Sequence, residues 1–182
     1  VAPAASAPSR QLDRLDDAPH RLFFFLGMLG LCAVSLWWLA ALLSRHGIPA
    51  LAGLGAPASD HLVFMAYGFM PFFIFGFANT AGPRWLQMPP VPVSNVRAPA
   101  LAMSAGLLGA LASANETASL FFTLLYLAGY LRLTVRFAAL LRASRAPDKV
   151  HAWMVLGGLA AGAAGLALHL AGDAFGFDAH AG

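Results

Sequence analysis

Apolar positions in this chain come in long, nearly unbroken runs, and neither the narrow stripe of a soluble amphipathic helix nor the alternation of a half-buried strand is seen. Five such runs stand out, at about 22–43, 60–80, 98–113, 117–141 and 150–171. About 20 apolar residues cross the hydrocarbon core of a bilayer, a length that buried helices of soluble proteins rarely sustain. The pattern therefore predicts an all-α fold: a polytopic transmembrane helical bundle of about five spans, residues 19–172, whose first partner is the lipid bilayer.

The breaks between the runs are punctuated. Residues 44–58 hold Gly47, Pro49, Gly53, Gly55 and Pro57, an irregular connection outside the membrane. Residues 82–99 hold Pro83, Pro89, Pro90, Pro92 and Pro99, which predicts an extended loop at the membrane surface. Asn115 and Glu116 mark a tight, capped turn, and Arg142, Arg145 and Lys149 a short basic one. Pro71 lies inside the second run, where its missing N–H predicts a kink near mid-membrane. Residues 1–18, rich in Ala, Pro and Ser with charges of both signs, are expected as a flexible cytoplasmic tail, and 173–182 as an exposed outer tail. The first run lacks a cleavage site after it and is expected to remain as a signal anchor.

Composition agrees with the pattern. Hydrophobic residues make up 59% and charged residues 10%, against roughly 25% charged in soluble domains. The net charge of +3 does not point to nucleic acid, because in a membrane protein the placement of basic residues matters more than their sum. With five spans, one side of the membrane carries Arg10, Arg14, Arg21, Arg84, Arg97, Arg132, Arg136, Arg142, Arg145 and Lys149, and the other only Arg45. The positive-inside rule puts the N-terminus in the cytoplasm and the C-terminus outside. Arg132 and Arg136, at i,i+4 spacing, are expected to snorkel near a helix end. The single cysteine, Cys32, excludes a disulfide framework or a Cys-x-x-Cys pair.

Chemistry-bearing residues are few. There is no phosphate loop, nucleophile elbow or carboxylate cluster, so no catalytic constellation is visible and any redox chemistry has to be borne by a cofactor. No span holds an acidic residue near its midplane, which leaves a transporter unsupported. The histidines sort by depth: His20 and His151 at cytoplasmic ends, His61 and His169 at outer ends, His46 and His180 in outer segments. His151 and His169 share a helix face but stand roughly 27 Å apart along its axis. His61 and His169 both end spans at the outer surface, and neutral imidazole ligates haem iron and copper. Met65, one turn from His61, would add a soft ligand suited to copper(I), or simply pack. Gly158, Gly162 and Gly165 lie on or beside the histidine face of the last span, where they would admit a flat macrocycle or serve helix packing. An interfacial histidine is equally a wet amphipathic side chain, so both readings stand.

Two stretches resemble a known family. Pro19-His20-Arg21-Leu22-Phe23-Phe24 is similar to the Pro-His-Arg-Pro-Phe-Phe start of the first helix in NnrS family proteins. Gly76-Phe77-Ala78-Asn79-Thr80-Ala81-Gly82-Pro83-Arg84-Trp85 resembles that family's Gly-Phe-Leu-Leu-Thr-Ala-Val-Pro-Asn-Trp, matching at Gly76, Phe77, Thr80, Ala81, Pro83 and Trp85. The resemblance implies a haem- and copper-containing multi-pass protein of the bacterial inner membrane, acting in the nitric oxide or nitrosative stress response. It would bind b-type haem through His61, His169, His20 or His151, and metal through His61, Met65 and His169. The family's Trp-His-x-His-Glu-Met segment aligns with Asp60-His61-Leu62-Val63-Phe64-Met65, which keeps only the first histidine and the methionine. Family members have about twice as many spans, so the likeness covers their N-terminal half only and implies a second subunit or a homodimer completing the bundle. The alternative from another class is a cofactor-free membrane scaffold or assembly subunit.

Overall fold

A computed structural model describes residues 14–46, 48, 58–113 and 115–175, with the backbone alone at 58–59 and 173–175. Among these residues the chain is helical without strands. After a 3₁₀ turn at Arg14–Asp16 come α1 (Pro19–Arg45), α2 (Ala58–Gly68), α3 (Met70–Thr80), the short α4 (Gly82–Trp85), α5 (Ser94–Ala112), α6 (Glu116–Ala143) and α7 (Val150–Phe175). Four stretches are long and apolar enough to cross a membrane: Pro19–Arg45, Asp60–Thr80, Glu116–Ala143 and Val150–Gly172. The fifth expected span is α5, a 19-residue helix that packs most extensively against α6. The architecture is thus an α-helical membrane bundle, antiparallel along the chain.

Each helix end has a local cause. Pro19 stands in the first turn of α1, where a missing N–H costs nothing. Asn115 caps α6 through its side-chain oxygen, which accepts from the Ala118 N–H at 2.8 Å, and Glu116 follows in the first turn. Asp148 accepts from the Val150 N–H at 2.9 Å at the start of α7. Residues 14–18, expected within the flexible tail, are held to the bundle: Asp17 pairs with Arg21 at 2.6 Å and Asp16 with Arg97 at 2.6 Å. The connection 44–58 and the tail 1–13 lie almost wholly outside the described residues, as do residues 176–182.

The loop expected at 82–99 is more helical than its prolines suggest. It contains the turn α4 and yields to α5 at Ser94, ahead of the expected start near 98, so that Pro99 sits inside a helix. Only one N–H is lost there, and burial of Val96 and Ala100 on either side anchors the turn. Gln87 takes a left-handed backbone (φ 53) between α4 and α5. Buried Leu86 fastens this loop to the end of α6, its carbonyl accepting from the Ser144 hydroxyl at 2.7 Å.

The second apolar run is interrupted as Pro71 predicts, with the break at Phe69 (φ −137, ψ −41) between α2 and α3. Backbones meet closely around it. A Cβ on Gly30 of α1 would run into the Gly68 carbonyl oxygen, and one on Gly68 would come within 2.7 Å of Val34. Glycine at both positions lets α1 cross the break in direct backbone contact. Gly106 and Gly129 do the same between α5 and α6, against the Phe122 and Pro99 carbonyls. The core fills with Phe23, Phe72, Phe75, Met103, Leu133 and Phe137, all buried.

Candidate functional site

The first of two histidine sites lies where α1 begins and α3 ends. His20 is tied to Thr80 twice: its backbone N–H donates to Thr80 Oγ1 at 3.1 Å, and its ring Nδ1 stands 3.4 Å from the same oxygen. The ring meets Phe24 edge-on at 5.9 Å, and Phe24 stacks on Phe73 at 4.9 Å. Gly76 makes this approach possible, since a Cβ there would sit 2.9 Å from Phe23 Cβ and 3.0 Å from the Phe24 ring. The α3–α4 corner then turns Arg84 back toward His20. Between them opens a cleft of about 230 Å³ lined by His20, Phe24, Phe77, Thr80, Ala81 and Arg84.

Where Nδ1–H donates to the Thr80 hydroxyl, the lone pair of His20 resides on Nε2, the form in which imidazole ligates a metal. Arg84 adds a cation at the rim and Phe24 and Phe77 add apolar walls. The set suits a flat, largely apolar ligand with an acidic edge. Arg136 stands on α6, half-buried, with its Nε buried and without a hydrogen bond, while Arg132 one turn away is exposed.

The second site is at the opposite end of the bundle. His61 on α2 stacks flat on Trp38 of α1, centroids 3.8 Å apart at 15°, with Arg45 over the same indole at 5.2 Å. Its Nδ1 is buried without a hydrogen-bond partner. Met65 packs partly buried against the core cluster. His169 is half-buried on α7. It stands seven residues beyond Gly162, whose carbonyl accepts from the Tyr67 hydroxyl at 2.8 Å, while His61 precedes Tyr67 by six. His61 and His169 therefore share a depth on neighbouring helices, but the His61 ring is turned to α1. His151 is exposed at the start of α7, and His46 is exposed where it ends α1. Among the described residues no three His, Cys, Asp or Glu side chains converge as a metal site.

Two of the three glycines expected to make room for a macrocycle on α7 are taken by tyrosines. A Cβ on Gly162 would come within 2.5 Å of the Tyr130 hydroxyl oxygen, and one on Gly165 within 3.1 Å of that of Tyr67. A hydroxyl inside a membrane must find an acceptor, and the Gly162 carbonyl is one that a bare helix face exposes. Only Gly158 is open, with nothing within 4 Å. The tyrosine cluster was marked in the sequence solely by Tyr67, Tyr126 and Tyr130 standing inside otherwise apolar runs.

No curated protein and no solved structure matches the chain. A family model does, over residues 15–181, under the description NnrS protein. The match thus runs through the whole bundle, well past the two short stretches of the likeness, and includes both histidine sites. Those two stretches are the same ones that meet across the His20–Thr80 contact, so the chain belongs to the NnrS family.

Proposed function

We propose that this membrane protein acts in the nitric oxide or nitrosative stress response and binds b-type haem in the cleft between α1 and the α3–α4 corner. One observation carries the reading: His20, with Nδ1 engaged by Thr80, lines the same cleft of about 230 Å³ as Arg84. His20 would be the iron ligand through Nε2, Arg84 the partner of a propionate, and Phe24 and Phe77 the walls against the macrocycle edge. When bound, haem supplies an iron able to take a diatomic ligand or an electron. The cleft is smaller than the usual ligand pocket of about 300–1,000 Å³, so it would hold one edge of the macrocycle. By the positive-inside rule the basic end that carries His20 faces the cytoplasm. Copper, if held at all, would be at His61, whose orphaned Nδ1 fits a ligand atom, with Met65 one turn away.

The test is the optical spectrum of detergent-purified protein after expression with excess haem precursor. A reduced b-type spectrum that is lost in His20→Ala and kept in His61→Ala and His169→Ala supports the assignment. A spectrum surviving His20→Ala moves the ligand elsewhere. Colourless, folded protein favours the cofactor-free scaffold.

A further inference from the structure

Two arginines stand where an apolar helix face meets lipid. On α6 the outward positions Phe121, Leu124, Leu131 and Val135 are exposed, and Arg132 is exposed beside them. Arg136 follows one turn later on the same side, half-buried, with its Nε enclosed and lacking a hydrogen bond. Ionisable residues inside spans almost always face the interior of a bundle or a water-filled cavity. Arg132 faces outward, and Arg136 borders it.

Their depth follows from a close contact. A Cβ on Gly82, just past the end of α3, would stand 3.0 Å from the Phe137 ring, so residue 137 is level with the point where the second apolar run leaves the membrane. Arg136 is therefore at that surface, and Arg132 lies about 6 Å beneath it at the rise of an α-helix. Cα–Cβ bonds tilt toward the N-terminus of a helix, which on α6 is the direction of the membrane's middle. The stem of Arg132 thus sets out away from water. No carboxylate among the described residues relieves either charge: at this end Asp16 pairs with Arg97, Asp17 pairs with Arg21, and Asp148 accepts from the Val150 N–H.

We propose that Arg132 and Arg136 form a binding site for the headgroup phosphate of an anionic phospholipid, in the leaflet at the basic end of the bundle. A guanidinium fork matches two phosphate oxygens at once, and two such groups one helical turn apart are close enough to share one phosphodiester. The acyl chains of that lipid run down the same face, over Leu131, Leu124 and Phe121 in order of depth. A free phosphate ion has no such chains and would have to leave water to reach Arg132, whereas a lipid carries its phosphate at this depth already. A zwitterionic lipid presents the same phosphate with its own cation beside it, which competes with the arginines. The site rests on the membrane bundle alone and involves no haem.

Native mass spectrometry of the delipidated protein in detergent tests this, by counting bound lipid as dioleoyl phosphatidylglycerol or dioleoyl phosphatidylcholine is titrated in. A basic side chain near the membrane surface is worth about fivefold in affinity for anionic lipid, so with two of them the first phosphatidylglycerol should bind on the order of tenfold or more above phosphatidylcholine. Arg132→Gln with Arg136→Gln should erase the difference. Arg142→Gln with Arg145→Gln, which removes the same charge beyond the membrane surface, should keep it. If the first pair disturbs folding, judged by circular dichroism and thermal unfolding, Arg132→Gln alone, at an exposed position, should lower the preference about fivefold. Equal binding of the two lipids by the unaltered protein overturns the proposal, as does a preference that survives in the folded Arg132 variants. A preference lost equally in the Arg142 and Arg145 variant also overturns it, since that marks general attraction of charge and no site. Inorganic phosphate at millimolar concentration should not displace the lipid; displacement would make the ligand a free anion and overturn the lipid assignment.

Discussion

The Tyr126 hydroxyl donates to the carbonyl oxygen of Tyr67 at 2.6 Å, and that carbonyl is the acceptor that Pro71, four residues on, leaves without its helical N–H. The helix break and its repair come from different helices, α2–α3 and α6. Tyr126→Phe removes the repair and leaves a carbonyl unpaired inside a membrane span. The expected loss is about 0.5–2 kcal/mol, in line with polar contacts in membrane proteins and with an orphaned acceptor. The decisive measurement is a double-mutant cycle by thermal or denaturant unfolding in detergent. Pro71→Ala restores the N–H, so Tyr126→Phe should cost less in that background. Equal costs in both backgrounds would show that the hydroxyl does not serve the carbonyl.

Close backbone contact gives a second prediction. Gly30→Ala forces a methyl into the Gly68 carbonyl, and two backbones must part to admit it. Overpacking of this kind costs about 1–3 kcal/mol. Gly158→Ala, on the open face of α7, should lie within about 0.5 kcal/mol of the parent. Unfolding of the two variants side by side separates packing glycines from incidental ones, and a Gly30→Ala variant as stable as Gly158→Ala would contradict the crossing described for α1.

How far these contacts could be read from the sequence depends on their range. The spans were legible because bilayer thickness sets the length of apolar runs, and the break near Pro71 because a missing N–H has a local consequence. The start of α5 at Ser94 was not: Pro99 reads as a breaker, yet Val96 and Ala100 bury on either side of it, and tertiary packing overrides the lost bond. His20 and Thr80 each stand in a family-like stretch, but their pairing spans 60 residues and no local pattern encodes it. The glycines of α7 illustrate the reverse problem. Gly162 and Gly165 show in the sequence only as positions on a face, and that tyrosine hydroxyls fill it is decided by Tyr67 of α2 and Tyr130 of α6, not by α7.

Orientation yields a third prediction. Arg21, Arg84, Arg97, Arg142, Arg145 and Lys149 stand at the end of the bundle where α1, α5 and α7 begin and α3 and α6 finish, while Arg45 ends α1 at the other. Alkaline phosphatase fused after residue 175 should be active, and the same enzyme fused after Arg145 should be silent, because only export across the membrane allows it to fold. The opposite result would place His20 and its cleft on the outer face.

The last prediction concerns Thr80, which lines the cleft proposed for haem and also holds His20. Its hydroxyl oxygen lies 3.4 Å from Nδ1 and 3.1 Å from the His20 backbone nitrogen, so it braces both the ring and the backbone from which the ring hangs. Groups that hold a metal-ligating histidine in this way are worth about 10–100-fold in metal affinity. Thr80→Val keeps the shape and loses the oxygen; haem titration followed by absorbance should show affinity falling within that range, while the folded content is unchanged. Thr80→Ser restores the oxygen and should restore most of the binding. A purely structural role would appear differently: Thr80→Val would lower thermal stability and leave the affinity of the folded fraction untouched. That result, or a Thr80→Ser variant no better than Thr80→Val, would remove Thr80 from the site and with it the argument that His20 is oriented to ligate.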